Sequence, residues 1–120
     1  MSRIQSRENA FKIIYSKLYV EDEQISPIEE IDEFCEQIVS AFTTNLEDIK
    51  RKVADNLKGV TIDRVYKIDL ALIYEAVAEI FYVANSEYKV VINEVVNLAK
   101  KYSTDRSPKF INGFLAGLVK

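Results

Sequence analysis

The segment that most constrains the fold is residues 68–84, where nearly every position is Ile, Leu, Val, Ala or an aromatic residue. A helix that is apolar on almost all sides must be packed on most of them. The segment also contains Asp69, Glu75 and Glu79, and it is shorter than the ~20 residues that a membrane span needs. We therefore expect a buried helix over residues 67–84 at the centre of a helical bundle.

The rest of the chain indicates an all-α protein. Only three glycines and two prolines interrupt 120 residues, which favours a few long elements, and no β pattern of any length is present. At this length we expect one domain, because two independent hydrophobic cores would not fit. In the first half we expect a helix over about residues 2–19 and a helical region that starts near Ser26-Pro27, bends at residues 43–45 and stops at Gly59. A short turn at 61–64 then precedes the central helix. After it we expect a turn at 85–87, a helix from Tyr88, and a last helix with Ser107 as N-cap and Pro108 as first residue.

Residue types exclude several classes of function. Cys35 is the only cysteine and there is no histidine, which rules out a disulfide framework, a Cys/His zinc site and imidazole catalysis. Each acidic pair is explained by a solvated face or a buried ion pair, so we expect no catalytic residue, no metal site and no cofactor. The N-terminus lacks the apolar core of a secretory signal, and a cytoplasmic protein that is not an enzyme fits best.

Charge is distributed unevenly along a chain whose net charge is −3. Residues 1–17 contain four basic residues and one acidic residue, and residues 88–120 contain six basic and two acidic ones. The middle, residues 18–87, has 16 acidic and six basic residues. Two interpretations remain open: the charges are spread over a solvated surface, or the two basic ends meet and bind an anionic partner.

The basic ends favour RNA as that partner. Phosphate contacts need Lys or Arg on one face, and unpaired bases need planar side chains on which to stack. If the first and last helices lie together, these requirements are met by Arg3, Arg7, Lys101, Arg106, Lys109 and Phe110. The alternative is that Phe110 belongs to the core and the lysines only solvate the surface. The acidic middle would suit a basic protein partner.

Four charged residues lie at positions where the helical pattern predicts partial or full burial. Arg7 extends the apolar face of the first helix, so it could reach a phosphate or pair with an acidic residue of a neighbouring helix. Glu75 and Glu79 lie on one face of the central helix and need a cation, which Arg7 or Arg64 could supply. Asp69, in the first turn of that helix, is either a cap or a contact for a basic partner.

Several segments resemble the NusB family of transcription antitermination factors. The sequence YKVVINEVVNLAKKYSTDRSPKFINGFLAGL is similar to the family's C-terminal signature, in which a helix of the INEAVELAKKY type precedes S-x-KF-[VI]-NG-x-L. SRENAFKIIYSKLY is similar to the family's N-terminal R-E-x-A-x-x-x-L-Y helix, and DRVYKIDLALIYEAVAEIFY to its core helix. The resemblance covers nearly the whole chain.

This resemblance implies an all-α fold of about seven helices in two packed halves, about residues 1–58 and 59–120. It also implies a role in antitermination of ribosomal RNA transcription, by binding boxA of nascent RNA together with NusE, a small-subunit ribosomal protein, in an RNA polymerase antitermination complex. By position, the six RNA candidates above keep that role, Tyr15 and Asp69 become candidates for the NusE contact, and Glu79, Asn93, Asn112 and Gly113 become structural.

Departures from the family pattern leave an alternative open. Tyr74 stands where an arginine is usual, Ser86-Glu87 replaces a Pro-containing turn, and Arg106 falls where many relatives have an acidic or neutral residue. These differences put RNA affinity in doubt more than the fold. The alternative is an interaction module of the same fold, or a homodimer, without RNA binding.

Overall fold

The computed structural model describes residues 2–19 and 30–120, which contain six α-helices, one short 3-10 helix and no β-strand. The helices are α1 (Arg3–Leu18), α2 (Glu33–Thr44), α3 (Leu46–Asn56), α4 (Lys67–Tyr82), α5 (Tyr88–Tyr102) and α6 (Ser107–Leu118), with the 3-10 helix at Ile62–Arg64 between α3 and α4. The all-α prediction is confirmed. The described residues contain one α-helix fewer than the seven or so that the resemblance implied.

Helix α4 is the centre of the bundle and packs against each of the other five α-helices. All of its residues from 68 to 79 are buried, including the three acidic ones, as its sequence predicts. The helix ends at Tyr82, two residues earlier than predicted. Val83 is already extended and Asn85 has a φ of 65°, so the chain turns here toward α5.

Local hydrogen bonds define the starts of the first two helices. Ser2 caps α1 in a capping box with Gln5, which satisfies two N–H groups that the first turn leaves unpaired. Asp32 caps α2 by accepting a hydrogen bond from the Cys35 amide at 3.0 Å. The predicted start at Ser26-Pro27 lies outside the described residues.

The predicted bend at residues 43–45 is confirmed as a break at Asn45, between α2 and α3. The Asn45 side chain donates to the Ala41 carbonyl at 2.9 Å, which competes with continuation of the helix. Gly59 has a φ of 77°, in the left-handed region that glycine adopts without strain. Helix α3 nevertheless ends at Asn56, three residues before the predicted stop.

Helix α6 begins one residue earlier than predicted. Ser107 is its first residue rather than its N-cap, and Arg106 occupies the cap position without a side-chain capping bond. Pro108 lies in the first turn, as predicted. The N-cap assignment was wrong because the Ser107 hydroxyl contacts groups outside the helix, described below.

Among the described residues, none of the helices combines the length and the apolar character needed to cross a membrane.

Candidate nucleic-acid interface

The two basic ends of the chain meet where the C-terminus of α5 packs against the middle of α1. Glu8 accepts hydrogen bonds from Lys101 Nζ and from the Tyr102 hydroxyl, both at 2.7 Å from Oε2. The Tyr102 ring lies 5.4 Å from the Phe11 ring, and Lys12 Nζ lies 5.8 Å from the Tyr102 ring centroid. This part of the surface therefore combines basic groups from both ends of the sequence.

Glu8 is the acidic group in this contact. Burial alone would raise the pKa of Glu8, but the hydrogen bonds from Lys101 and Tyr102 outweigh burial and lower the pKa. The same hydrogen bond to Glu8 raises the pKa of Lys101. The Lys101 side chain remains 61% exposed, so its ammonium group is open to an approaching phosphate.

The connector between α5 and α6 is fixed to the start of α4. Asp69 is 5% exposed and accepts hydrogen bonds from the hydroxyls of Ser103 and Ser107, the latter at 3.0 Å. Ser107 Oγ also accepts from the Thr104 amide at 3.2 Å. The Asp69 side chain thus anchors the connector.

Arg106 and Lys109 are exposed at the start of α6. Phe110 is half-buried and packs against the core. It is therefore not a fully buried core residue, and its ring is not fully exposed for stacking on a base. The anchored connector and the first turn of α6 therefore present one exposed cation each.

Arg3 is exposed on the side of α1 that faces α2, with its guanidinium carbon 4.3 Å from the centroid of the Phe34 ring. It precedes Glu8 by five residues, or about 7.5 Å along the helix axis. Arg3 therefore lies on the α2 side of α1, apart from the group around Lys101.

Arg7 is buried, and of its two interpretations the structure shows the ion pair. Its Nε lies 2.8 Å from Oε1 of Glu79 and its Nη2 lies 2.8 Å from Oε2. Burial alone would lower the pKa of Arg7, but Glu79 more than compensates, so the pKa is raised. A phosphate would have to compete with Glu79 for this guanidinium.

Ser86 completes the surroundings of Glu79 by donating from its hydroxyl to Oε2 at 3.0 Å. One of the departures from the family pattern, Ser86-Glu87, thus supplies a hydrogen bond to the buried carboxylate. Glu79 has the structural role that the resemblance implied.

Glu75 is fully buried, and neither of its carboxylate oxygens has a hydrogen-bond partner in the part of the chain that the structure describes. Burial raises the pKa of Glu75 well above its usual range, and the neighbouring charge of Glu79 raises it further. Of the two buried carboxyl groups, Glu79 accepts the hydrogen bonds of the Arg7 guanidinium, whereas Arg7 acts on Glu75 only through its charge.

Tyr15 is 1% exposed and lies between the rings of Phe11 and Tyr19, at centroid distances of 6.3 and 5.1 Å. Tyr15 and Asp69 are thus both buried in the free protein. Close to them in the sequence, Tyr66 is 49% exposed just before α4, and Lys67 Nζ lies 5.0 Å from the Tyr19 ring centroid. These more accessible groups were not among the residues predicted from the sequence to contact a partner.

For three residues of the C-terminal signature, the structure does not show the structural role that the resemblance implied. An added Cβ at Gly113 would have no neighbour within 4 Å, so a close approach of another helix does not explain a structural role for this glycine. Asn93 and Asn112 are exposed, and no hydrogen bond from either carboxamide is found within residues 2–19 and 30–120.

Glu8, Lys12 and Tyr102, which lie in this contact between α1 and α5, were not predicted from the sequence. The one available signal was that Glu8 is the only acidic residue in the basic first 17 residues.

The chain is similar to known proteins over nearly its whole length. The sequence model of the NusB family matches residues 4–120. The chain is 38% identical over 130 residues to the transcription antitermination protein NusB of Finegoldia magna, with 100% of this chain and 95% of that protein covered. The fold matches T. maritima NusB with a TM-score of 0.82 at 23% identity, covering 98% of this chain and 90% of the other. It also matches a chain from a crystal structure of the antitermination factors NusB and NusE in complex with dsRNA, with a TM-score of 0.79 at 24% identity and coverage of 98% and 97%.

Proposed function

Since the chain belongs to the NusB family, we propose that it is a transcription antitermination factor that binds boxA of nascent ribosomal RNA together with NusE. The observation that carries the proposal is the family match over residues 4–120, together with a full-length relative named for this activity. The proposal includes no catalytic step, metal or cofactor. It locates the protein in the cytoplasm, in an RNA polymerase antitermination complex.

The RNA surface would consist of exposed cations around the junction of α1, α5 and the connector. Lys101 is next to α1 through Glu8, and Arg106 and Lys109 follow on the anchored connector and the first turn of α6. Arg3 would add a contact on the α2 side of α1. Phosphates bind such Lys and Arg groups without regard to sequence, so this surface supplies affinity more than base choice.

Phe110 and Arg7 would contribute in different ways. Phe110 is half-buried, so only the exposed part of its ring would contact a base. Arg7 would support the surface from the interior, because its pair with Glu79 joins α1 to α4.

The NusE surface would lie over Tyr15 and Asp69. Because both side chains are buried, we infer that they hold the local shape, while accessible neighbours such as Tyr66 make the contact. Aromatic residues of this kind are frequent anchors at protein interfaces.

We also infer that the two halves, about residues 1–58 and 59–120, act as one RNA-binding domain. Support comes from α4, which belongs to the second half and packs against α1, α2 and α3 of the first.

Titration of a labelled boxA RNA with the purified full chain, with and without NusE, tests the proposal. We expect weak binding by the chain alone, tighter binding with NusE, and a decrease in affinity as salt increases. Binding to neither RNA nor NusE at low salt would contradict the proposal. A dimer in sedimentation without RNA binding would favour the alternative of an interaction module or homodimer of the same fold.

A further inference from the structure

A groove of about 470 Å³ lies between α5 and α6. Its lining includes the aliphatic side chains of Ile92, Val96 and Ala116, and the ring of Tyr88, which is 42% exposed. Small-molecule and base-binding sites are usually concave and mostly apolar, with a few polar groups that converge. The groove has the first two of these properties.

Two carboxamides supply polar groups from both helices of the groove. Asn93 lines the groove from α5 and Asn112 lines it from α6. Neither side chain forms a hydrogen bond with any other described part of the chain, so neither has a structural role that the fold explains. Each carboxamide offers a donor and an acceptor side by side, which is the pattern that the edge of a nucleobase complements.

The charge around the groove favours an anionic ligand. Lys89 and Lys120 line it, and none of the described residues that line it is acidic. The only acidic residue of α5 and α6 is Glu94, which is half-buried and acts on the pKa of Arg7 instead.

On α6 the groove side continues to Lys109 of the basic surface described above, and on α5 it continues to Lys100, which precedes Lys101 in the sequence. Lys100 follows Val96 by four residues on α5, and Lys109 precedes Asn112 by three on α6, so both lie on the groove side of their helices. From Lys89 to Lys100 the distance along the helix axis is about 16 Å. An RNA strand bound at Lys109 could therefore enter the groove directly.

We propose that the groove between α5 and α6 binds one unpaired nucleotide of single-stranded RNA, with Asn93 and Asn112 hydrogen-bonding the base edge, Tyr88 stacking on the base and Lys89 contacting a phosphate. This proposal rests on the proposed RNA-binding function and deepens it, because it assigns base choice to residues distinct from the phosphate-binding cations. An acidic peptide would also suit the lysines and the aliphatic lining. Continuity with Lys100 and Lys109 favours RNA.

The test compares the full chain with the double variant Asn93→Ala/Asn112→Ala. The matched control is Asn97→Ala, an exposed asparagine of the same helix that does not line the groove. Binding to oligo(A), oligo(C) and oligo(U) of about 12 nucleotides is measured by fluorescence anisotropy. We expect the double variant to bind the preferred oligonucleotide roughly tenfold more weakly and to lose the preference, while the control retains both.

A second readout does not depend on affinity for a long strand. In ¹H–¹⁵N spectra of the full chain, addition of AMP or UMP should shift the side-chain amide signals of Asn93 and Asn112 but not that of Asn97. Circular dichroism verifies that the helices persist in all variants.

The outcomes separate the two proposals. If the wild-type chain binds RNA and the double variant binds it equally well with the same preference, the groove proposal is overturned and the proposed function stands. If the wild-type chain binds no RNA with or without NusE, both are overturned. If the double variant loses binding only to a Glu/Leu repeat peptide, the groove is a peptide site and the RNA assignment is overturned.

Discussion

Arg7 of α1 and Glu79 of α4 form a buried ion pair, with Nε 2.8 Å from Oε1 and Nη2 2.8 Å from Oε2, between residues 72 positions apart in the sequence. The two side chains are 5% and 0% exposed. Two parallel N–H···O bonds fix the orientation of both groups, and Ser86 adds a third donor to the carboxylate. This pair joins the helix that carries part of the basic surface to the centre of the bundle.

Replacing Arg7 by Ala should lower the free energy of unfolding by about 3–5 kcal/mol, because it leaves the Glu79 charge buried without its cation. Urea denaturation followed by circular dichroism measures this decrease. Arg3→Ala, an exposed arginine of the same helix, should change stability by less than about 1 kcal/mol. Unchanged stability of Arg7→Ala together with weaker RNA binding would instead support a phosphate contact.

Glu75 should make the protein less stable as pH rises. Its pKa is raised in the folded state, so the folded protein keeps this proton at pH values where the unfolded chain, with a pKa of about 4.3, has released it. The contribution of Glu75 is therefore fully present below the unfolded pKa and is lost as pH rises through the folded pKa.

Glu75→Gln removes that dependence, and it should be more stable than the wild type at neutral pH. The measurement is the difference in unfolding free energy between the two proteins at a series of pH values, because the shared contributions of other groups cancel. A difference that does not change with pH would show that folding leaves the pKa of Glu75 unshifted and would contradict this prediction.

Glu8→Gln should raise RNA affinity severalfold at low salt. The amide can still accept a hydrogen bond from Tyr102, whereas the negative charge beside Lys101 is gone, so the local potential becomes more favourable for phosphates. Glu47→Gln, which removes an acidic residue from the first turn of α3, is the control for a change in net charge alone. Equal affinities for all three proteins would place Lys101 outside the RNA surface.

Ser107→Ala should destabilise the protein by about 1–3 kcal/mol, because buried Asp69 loses one of the two hydroxyl donors found in the structure. The connector would also become less well anchored, so RNA affinity should fall even under conditions where the variant is fully folded. Thermal unfolding and RNA titration of the same preparation measure the two effects. Ser16→Ala, an exposed serine of α1, should show neither effect.

The sequence predicted the elements whose cause is local. Helix α4 is apolar on nearly all sides, and the break at Asn45 follows from side chains that compete for backbone hydrogen bonds, so both could be recognised from short stretches. The start of α6 was placed one residue late because Ser107 binds Asp69, a residue 38 positions away.

Contacts between residues far apart in the sequence were the part of the candidate site that could not be predicted. Spacing placed Arg7 on the buried face of α1 but left its partner open, since a helical period defines a face and not its neighbour. The Glu8–Lys101 contact spans 93 positions and has no local signature. For Gly113, the position inside a helix was predicted correctly, but whether another helix approaches it depends on the whole packing arrangement.

The most direct test of the central claim, that the junction of α1, α5 and the connector binds RNA, is the salt dependence of RNA binding by the double variant Lys101→Ala/Lys109→Ala. For the wild type, the logarithm of the association constant should fall linearly with the logarithm of salt concentration. The slope should become shallower by about two in the double variant, because each removed lysine leaves one phosphate without its cation, and it should stay unchanged in Arg51→Ala, an exposed arginine of α3. A wild-type slope retained by the double variant would contradict the account.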